Sequence, residues 1–252
     1  MKRGQVSLFV IIAIFLVVAI AAFFFVFKET GISLTTRDKN FDPESFVDNC
    51  VRKEVRDYIE VALPQGGFAN PTDFVSYNGT NIAYSCKNIN FYEPCINQHP
   101  LYISSLENEL EKGVQDNVES CFLQLEDELT ARDFKFSGGN ISIKTTLKPG
   151  IVEVNTLRDM TITRGDLTRN FDSFKTLIRS PFYDLAFVAQ EITTQEASFC
   201  YFEYVGYMLL YDRFDIRKNT LDDSTKIYSI KDKESDKTMN IALRGCAIPP
   251  GF

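Results

Sequence analysis

Six cysteines are the residues of this chain that are best placed to do chemistry. No two of them have the C-x-x-C spacing, and His99 is the single histidine, so the usual ligand patterns of a zinc site are missing. An even number of cysteines suits an oxidising exterior, where disulfides persist. Spacing alone leaves the connectivity open. We predict the disulfides Cys50–Cys121 between two facing helices, Cys86–Cys95 closing a loop, and Cys200–Cys246 tying the C-terminal strands.

The patterns of common catalytic sites are missing from the sequence. It has no Walker loop, no G-x-G-x-x-G, no G-x-S-x-G and no H-E-x-x-H. His99 lies in the polar segment Asn97-Gln98-His99-Pro100, which predicts an exposed loop residue. The pair Asp222-Asp223 carries no weight in a chain with 34 acidic residues. We therefore predict no catalytic residue, no metal site, no cofactor and no enzymatic activity, with a hydrolase built on two distant carboxylates as the weaker alternative.

Aromatic residues are densest between Phe199 and Phe214. Tyr201, Tyr204, Met208 and Tyr211 would fall on one stripe if this segment is a continuous helix. Such a stripe is typical of core packing, but tyrosine also buries a large area at low entropy cost and keeps a polar handle. The alternative interpretation is a partner surface formed by Tyr201, Tyr204, Tyr207 and Tyr211.

The first 28 residues are expected to decide on which side of a membrane the rest of the chain lies. Between Val6 and Phe27 only Ser7 is polar, and a helix over this run would be about 33 Å long, enough to cross a bilayer core of roughly 30 Å. Lys2 and Arg3 precede the run, so the positive-inside rule leaves the N-terminus in the cytoplasm and the C-terminal part outside. A cleaved secretory signal is the competitor, but its apolar core is normally shorter and ends at a small-residue cleavage site.

The residues before this run also carry a family resemblance. Lys2-Arg3-Gly4-Gln5-Val6-Ser7 resembles the class III, type IV prepilin-like signal of archaeal pilins and related surface proteins. The resemblance covers the first 27 residues and implies cleavage between Gly4 and Gln5 with retention of the apolar helix. The acidic residue that many pilins carry at the fifth mature position falls on Phe9 here, which counts against assembly into a filament.

The remaining chain has the composition of an anchored ectodomain. Residues 29–41 predict a stalk, with a kink followed by more helix as the alternative, and residues 42–252 form the extracytoplasmic domain. The net charge of −7 argues against a nucleic-acid partner. The triplets Asn78-Gly79-Thr80 and Asn140-Ile141-Ser142 are candidate N-glycosylation sites, at Asn78 and Asn140.

Periodicity gives a coarse assignment of this domain. Apolar steps of three and four residues predict helices over 43–63, from Ser104 onward and over 170–194, the last kinked at Pro181. Ser104 and Glu107 have the capping-box spacing. Coiled-coil pairing with another subunit is the alternative to packing of the second helix on the first. Alternation of apolar and polar residues predicts strands over 133–137, 140–147 and 151–157, near Met160 and Ile162, and in a hairpin of 226–231 and 238–244. For residues 65–100 we predict a long surface excursion with one short strand.

We therefore expect an α+β fold: a single N-terminal transmembrane helix followed by an ectodomain of antiparallel strands packed with two or three helices. The expected function is that of a non-enzymatic, single-pass cell-surface protein with a structural or adhesive role. It would contact membrane lipid through residues 6–27 and either self-associate or bind a surface protein or glycan. The alternative is a bitopic, signal-anchored ectodomain that binds a protein, glycan or envelope component without forming filaments.

Overall fold

The computed structural model describes residues 41–90 and 92–245, together with Leu16. The first forty residues otherwise lie outside this range, and with them the predicted membrane helix, the stalk and the Gly4-Gln5 junction. The elements of the described part are α1 Pro43–Ala62, a 3₁₀ turn Leu63–Gln65, β1 Phe74–Tyr77, β2 Thr80–Lys87, β3 Ile96–Asn97, α2 Tyr102–Thr130, β4 Lys135–Gly138, β5 Ser142–Lys148, β6 Ile151–Arg164, β7 Leu167–Arg179, α3 Phe182–Phe199, α4 Tyr204–Leu210, β8 Phe214–Thr220, β9 Thr225–Asp232 and β10 Lys237–Arg244.

The predicted α+β class is confirmed, since this part of the chain holds two sheets that are mostly antiparallel. It has four α-helices rather than two or three. The chain divides after Asp42, and the elements from Pro43 onward belong to one compact unit. None of the helices in the described residues is both long and apolar enough to cross a membrane.

Helices α1 and α2 form an antiparallel pair, as their apolar stripes predict. Val47, Val51, Val55 and Ile59 of α1 are buried, and α2 buries a longer stripe. The Cys50–Cys121 disulfide joins the two helices, and Tyr58 lies as far beyond Cys50 as Gly113 lies before Cys121. The stripe of α2 therefore packs within this chain, on α1 and on β5. The buried residues of α2 are Tyr102, Leu106, Leu110, Val114, Val118, Cys121, Phe122, Leu125 and Leu129.

The predicted capping box of α2 is wrong. The helix begins at Tyr102, and its N-cap residue Leu101 makes no side-chain capping bond. Glu107 instead accepts a hydrogen bond from the backbone N–H of Leu147, and Glu111 accepts one from that of Thr145. Both glutamates therefore tie α2 to β5 rather than closing the first turn of their own helix.

The first sheet has the strand order β1-β2-β10-β9-β8, with β3 pairing the end of β2. The C-terminal hairpin of β9 and β10 confirms the prediction from alternation. Strand β2 lies parallel to β10 and is buried over most of its length. The prediction of a long surface excursion over 65–100 is therefore wrong, because this segment supplies three strands, one of them in the middle of the sheet.

The second sheet is organised around the long strand β6. One edge of β6 pairs with β5 and then with β4, and the other edge pairs with β7 on both sides of a register shift between Leu157 and Met160. Met160 and Ile162 belong to the continuation of β6 rather than to a separate strand. The predicted helix over 170–194 is wrong in its first half, which is β7; α3 begins only after Pro181, its N-cap residue.

The spacing that suggested a helix has a structural cause. The register between β6 and β7 shifts between Leu157 and Met160, so that Met160 pairs with Phe171 and Thr156 with Phe174. Phe171 and Phe174 are both buried although they are three residues apart. A β-bulge therefore produces, inside a strand, the apolar spacing of a helix.

Helix α3 lies between the two sheets. It contacts β2, β3, β9 and β10 of the first sheet, β5 and β6 of the second, and helix α2. Phe182, Leu185, Ala189 and Ile192 are fully buried along it. Its C-terminal end and the segment that follows reach the surface of the domain, where the densest aromatic stretch of the sequence lies.

Candidate functional site at the aromatic surface of α4

The aromatic stretch is divided by a helix break. Helix α3 ends at Phe199, because Cys200 adopts a left-handed conformation with φ of 57°, and α4 begins at Tyr204. Only Tyr204 and Met208 of the predicted four-residue stripe lie within α4. The prediction of one continuous helical stripe is therefore wrong, although the segment remains the most aromatic in the domain.

A few buried contacts fix the position of helix α4 on the domain. Phe202 is buried and its ring centroid lies 5.4 Å from that of Tyr207 and 6.2 Å from that of Tyr228. Glu203 caps the helix by accepting a hydrogen bond from the N–H of Gly206 at 3.2 Å. The sulfur of Met208 accepts a hydrogen bond from the N–H of Ile216 in β8.

An ion pair holds the end of α3 beneath this segment. Glu196 is buried and accepts hydrogen bonds from Nζ of Lys226 and from the hydroxyl of Tyr228, each at 2.5 Å. Lys226 also donates to the carbonyl oxygen of Cys200 at 2.7 Å. Burial and the hydrogen bond to Glu196 both raise the pKa of Tyr228. The carboxylate of Glu196, the ammonium group of Lys226 and the hydroxyl of Tyr228 are therefore all hydrogen-bonded within the domain, which fixes the end of α3 on β9.

Above these contacts the side chains face solvent. No residue of α4 is buried, and Leu209 and Leu210 are 82% and 81% exposed. We call the large apolar and aromatic residues that are exposed here the α4 surface. Its members are Phe187, Phe199, Tyr201, Val205, Leu209, Leu210 and Tyr211.

A shallow cavity of about 350 Å³ adjoins the α4 surface, between α3 and the C-terminal end of α4. Tyr183 and Phe187 stack along one wall at a centroid distance of 6.3 Å, and Tyr207 and Tyr211 form the other at 4.6 Å. Arg213 lies at its end. Burial raises the pKa of Tyr207 to about 12, so its phenol stays neutral and offers a hydrogen bond beside an apolar wall.

The opposite end of α4 is also aromatic. Nζ of Lys218 lies 5.7 Å from the ring centroid of Tyr201 and 5.5 Å from that of Tyr204. The hydroxyl of Tyr201 donates a hydrogen bond to Glu203, which raises the pKa of Tyr201 and lowers that of Glu203. Charged groups at this rim are therefore engaged with their neighbours.

The structure places the four predicted partner-surface tyrosines unequally. Tyr201 and Tyr211 are about half exposed, whereas Tyr204 and Tyr207 are partly buried. The sequence interpretation missed Phe187, Val205, Leu209 and Leu210. No local sequence signal identifies Leu209 and Leu210, because their exposure depends on the tertiary placement of α4.

The cysteine predictions are met where both partners are described. Cys50–Cys121 and Cys86–Cys95 are disulfides, with Cα atoms 5.9 Å and 5.4 Å apart. Cys200 is disulfide-bonded as well, while its predicted partner Cys246 lies outside the described residues. No cysteine in the described range is a free thiol.

The remaining predicted residues lie away from the α4 surface. Asn78 and Asn140 are exposed, the first in the β1–β2 turn and the second between β4 and β5, so both are open to a modifying enzyme. Gly4 and Gln5 lie outside the described residues. His99 is half-buried rather than exposed, because its ring packs on Phe68 at a centroid distance of 4.6 Å, and burial lowers its pKa.

His99 lines a second, polar cavity of about 250 Å³. Asp73 and Glu109 also line it, but Asp73 is paired with Nζ of Lys87 at 2.7 Å. Across residues 41–90 and 92–245, no group of three or more histidine, cysteine, aspartate or glutamate side chains is arranged to hold a metal ion.

Comparison of the chain with protein-family models, with curated proteins and with solved structures gave no match. Function is therefore inferred from the residues of this chain. The α4 surface offers apolar area, phenol hydroxyls and a shallow aromatic cavity. Such a surface is suited to contact with a partner, since each apolar side chain that becomes fully buried contributes roughly 1.5–3 kcal/mol.

Proposed function

We propose that this protein is a non-enzymatic, membrane-anchored cell-surface protein with a structural or adhesive role, processed like a type IV prepilin. Residues 6–27 would hold it in the bilayer, and the domain from residue 42 onward would lie outside the cell. The expected cleavage between Gly4 and Gln5 leaves the apolar run attached to the mature chain.

The observation that carries this proposal is the state of the cysteines. Two disulfides lie within the described domain, and none of its cysteines is a free thiol. Disulfides of this kind persist outside the reducing cytosol. An apolar run without charges between Val6 and Phe27, preceded by Lys2 and Arg3, supplies a route to that compartment.

A binding ectodomain that does not form filaments is the second candidate, and the α4 surface favours it. Contiguous exposed apolar side chains mark contact sites on many soluble domains. Phe9 stands where many pilins carry an acidic residue, which also favours an anchored module over a filament subunit. Negative-stain microscopy of sheared surface material separates the two, because only the first candidate yields filaments that contain this chain.

N-terminal sequencing of the native protein, combined with flotation of membranes after alkaline carbonate washing, tests the proposal. A mature chain that starts at Gln5 and floats with membranes is the expected result. A start at Met1 with flotation identifies a plain signal anchor. A start beyond Phe27, recovery in the soluble fraction, or free thiols at the described cysteines contradicts the proposal. Replacement of Gly4 by leucine should prevent cleavage and leave flotation intact, with Ser7→Ala as the matched control.

A further inference from the structure

Helix α4 displays apolar side chains to solvent. Val205 and Leu209 lie four residues apart on one side of the helix, and Leu210 adjoins Leu209. The two leucines are more than four-fifths exposed, and Leu210 also lines the cavity between α3 and the C-terminal end of α4. A fluid apolar phase accepts exposed apolar side chains without requiring a complementary shape.

The charged groups around this face are paired with one another, so burial of the leucines would leave few charges without a partner. Glu203 is engaged by the hydroxyl of Tyr201 and the N–H of Gly206, and Asp215 is paired with Arg217 at 3.0 Å. Arg213 is paired with Asp184 and Asp232. Among these groups the carboxylates outnumber the cations, and the rim is aromatic as well.

This combination matches the interfacial zone of a bilayer. Tyrosine is enriched where one end of a side chain is apolar and the other meets water, and leucine tips reach the boundary between headgroups and acyl chains. Tyr201 precedes the first residue of α4, and Tyr211 directly follows Leu210, its last residue. Because carboxylates predominate at the rim, an uncharged lipid surface is favoured over an anionic one.

We propose that the α4 surface docks on the surface of the same bilayer that holds the apolar N-terminus, with Leu209 and Leu210 inserted at the level of the upper acyl chains. The inference rests on the proposed membrane anchor. Residues 28–42 connect the apolar run to the domain and reach at most roughly 50 Å when extended. A tether of this length keeps the local concentration of lipid surface high, so a contact too weak to recruit a free protein still forms.

The absence of tryptophan from the chain allows a direct test. Full-length Leu210→Trp, reconstituted in phosphatidylcholine vesicles, carries a single tryptophan on the α4 surface. The expected result is a blue-shifted emission that is lost when the vesicles contain lipid brominated on the upper acyl chain. Leu167→Trp is the matched control, because Leu167 is 75% exposed at the tip of the β6–β7 hairpin, and its emission should stay red-shifted and unquenched.

Two further outcomes would overturn the docking proposal. Emission from Leu210→Trp that is blue-shifted but insensitive to brominated lipid identifies a protein contact, such as a second copy of this chain. Emission that is neither shifted nor quenched identifies a free surface. In the background of Leu210→Trp, replacing Leu209 by aspartate should abolish quenching, which shows that the tryptophan alone does not drive insertion.

Flotation of the same vesicles separates this inference from the proposed function. If the chain floats and Leu210→Trp is unquenched, the anchor stands and docking is wrong. If the chain does not float at all, the membrane anchor itself is wrong. Leu209→Ser should leave flotation unchanged, since residues 6–27 and not α4 would hold the protein in the membrane.

Discussion

Nε of Arg213 donates a hydrogen bond to Oδ1 of Asp232 at 2.7 Å, and the Asp232 side chain is only 1% exposed. The same guanidinium reaches Oδ2 of Asp184 at 3.2 Å. One cation therefore links the β9–β10 turn, helix α3 and the segment between α4 and β8. Burial of Asp232 acts to raise its pKa, but hydrogen bonds from Arg213 and Ser235 outweigh burial and lower it.

Replacing Arg213 by methionine should destabilise the domain by about 3–5 kcal/mol, because the carboxylate of Asp232 would be left buried without its cation. Arg217→Met is the control, since that side chain is 76% exposed and, among the described residues, forms an ion pair only with Asp215, and its effect should stay within about 0.5 kcal/mol. Urea unfolding at neutral pH measures both. Equal effects of the two substitutions would contradict the role given to the Arg213 linkage.

The buried phenol of Tyr228 should make the domain less stable at alkaline pH. Its folded-state pKa is raised above the ordinary value of 10.0 by burial and by the hydrogen bond to Glu196. Above pH 10 the unfolded chain releases this proton and the folded chain keeps it, so the free energy of unfolding falls by up to about 1.4 kcal/mol per pH unit for this residue. Unfolding of the wild type and of Tyr228→Phe between pH 8 and pH 11 measures the difference, and the variant should show the shallower slope.

Phe202→Leu serves as the control for this experiment. Phe202 packs on Tyr228 and carries no titratable group. Its replacement should lower stability by the same amount at every pH, whereas Tyr228→Phe changes the slope. A slope that is unchanged in Tyr228→Phe would show that this phenol does not govern the alkaline loss.

Gly113 permits the close approach of α1 and α2. A Cβ atom placed there would lie 2.1 Å from Cε2 of Tyr58, so the ring would have to move. Gly113→Ala should destabilise the domain by about 1–3 kcal/mol, although alanine is the better helix former by about 1 kcal/mol. In a Tyr58→Ala background the same substitution should become stabilising by about 1 kcal/mol. A double-mutant cycle from denaturant unfolding checks this reversal of sign, and additive effects would contradict it.

The two described disulfides should differ in their effect on stability. Cys50 and Cys121 are separated by 71 residues and Cys86 and Cys95 by nine. Loop-closure entropy predicts that replacing each pair by alanine costs roughly 4 kcal/mol and roughly 2.5 kcal/mol, respectively. Unfolding of the two double variants under non-reducing conditions measures the difference. A larger loss for the shorter loop would indicate that local strain or packing, rather than chain entropy, decides the effect.

Regular patterns in the sequence correctly predicted much of the fold. The valine and leucine stripes of α1 and α2 identified both helices and their mutual packing, and the position of Cys50 and Cys121 on those stripes identified the disulfide. The Cys86–Cys95 loop and the β9–β10 hairpin were likewise predicted from local spacing. In each of these cases the determining residues are near in sequence or lie on one helical face.

Two kinds of structure were missed for different physical reasons. Strand β7 was mistaken for a helix because the bulge opposite Asp172 puts Phe171 and Phe174 on the same face. The prediction for 65–100 allowed one short strand and so missed the extent of β2 and its pairing with β1, although Asn78-Gly79, both with positive φ, is a strong hairpin signal. The pairing of β2 with β10 has no local signal at all.

The candidate site was predicted only in outline. The tyrosines between Tyr201 and Tyr211 marked the correct segment, but the break at Cys200 determines which of them face solvent. The exposure of Leu209 and Leu210 depends on the tertiary placement of α4, and periodicity favours burial for two adjacent leucines. Those two residues carry the docking proposal, so the most informative part of the site required the three-dimensional structure.

The parallel pairing of β2 with β10 also constrains how the domain is made. During synthesis β2 must wait, with one edge unpaired, until β10 has emerged, because the elements from β3 to β9 are made between these two strands. The Cys86–Cys95 pair, which staples the end of β2 to β3, can close long before that moment. A chain truncated before Lys237 would leave one edge of β2 without its partner β10, and this edge would be available to pair with neighbouring molecules. Aggregation rather than partial folding is therefore the expected fate of such fragments.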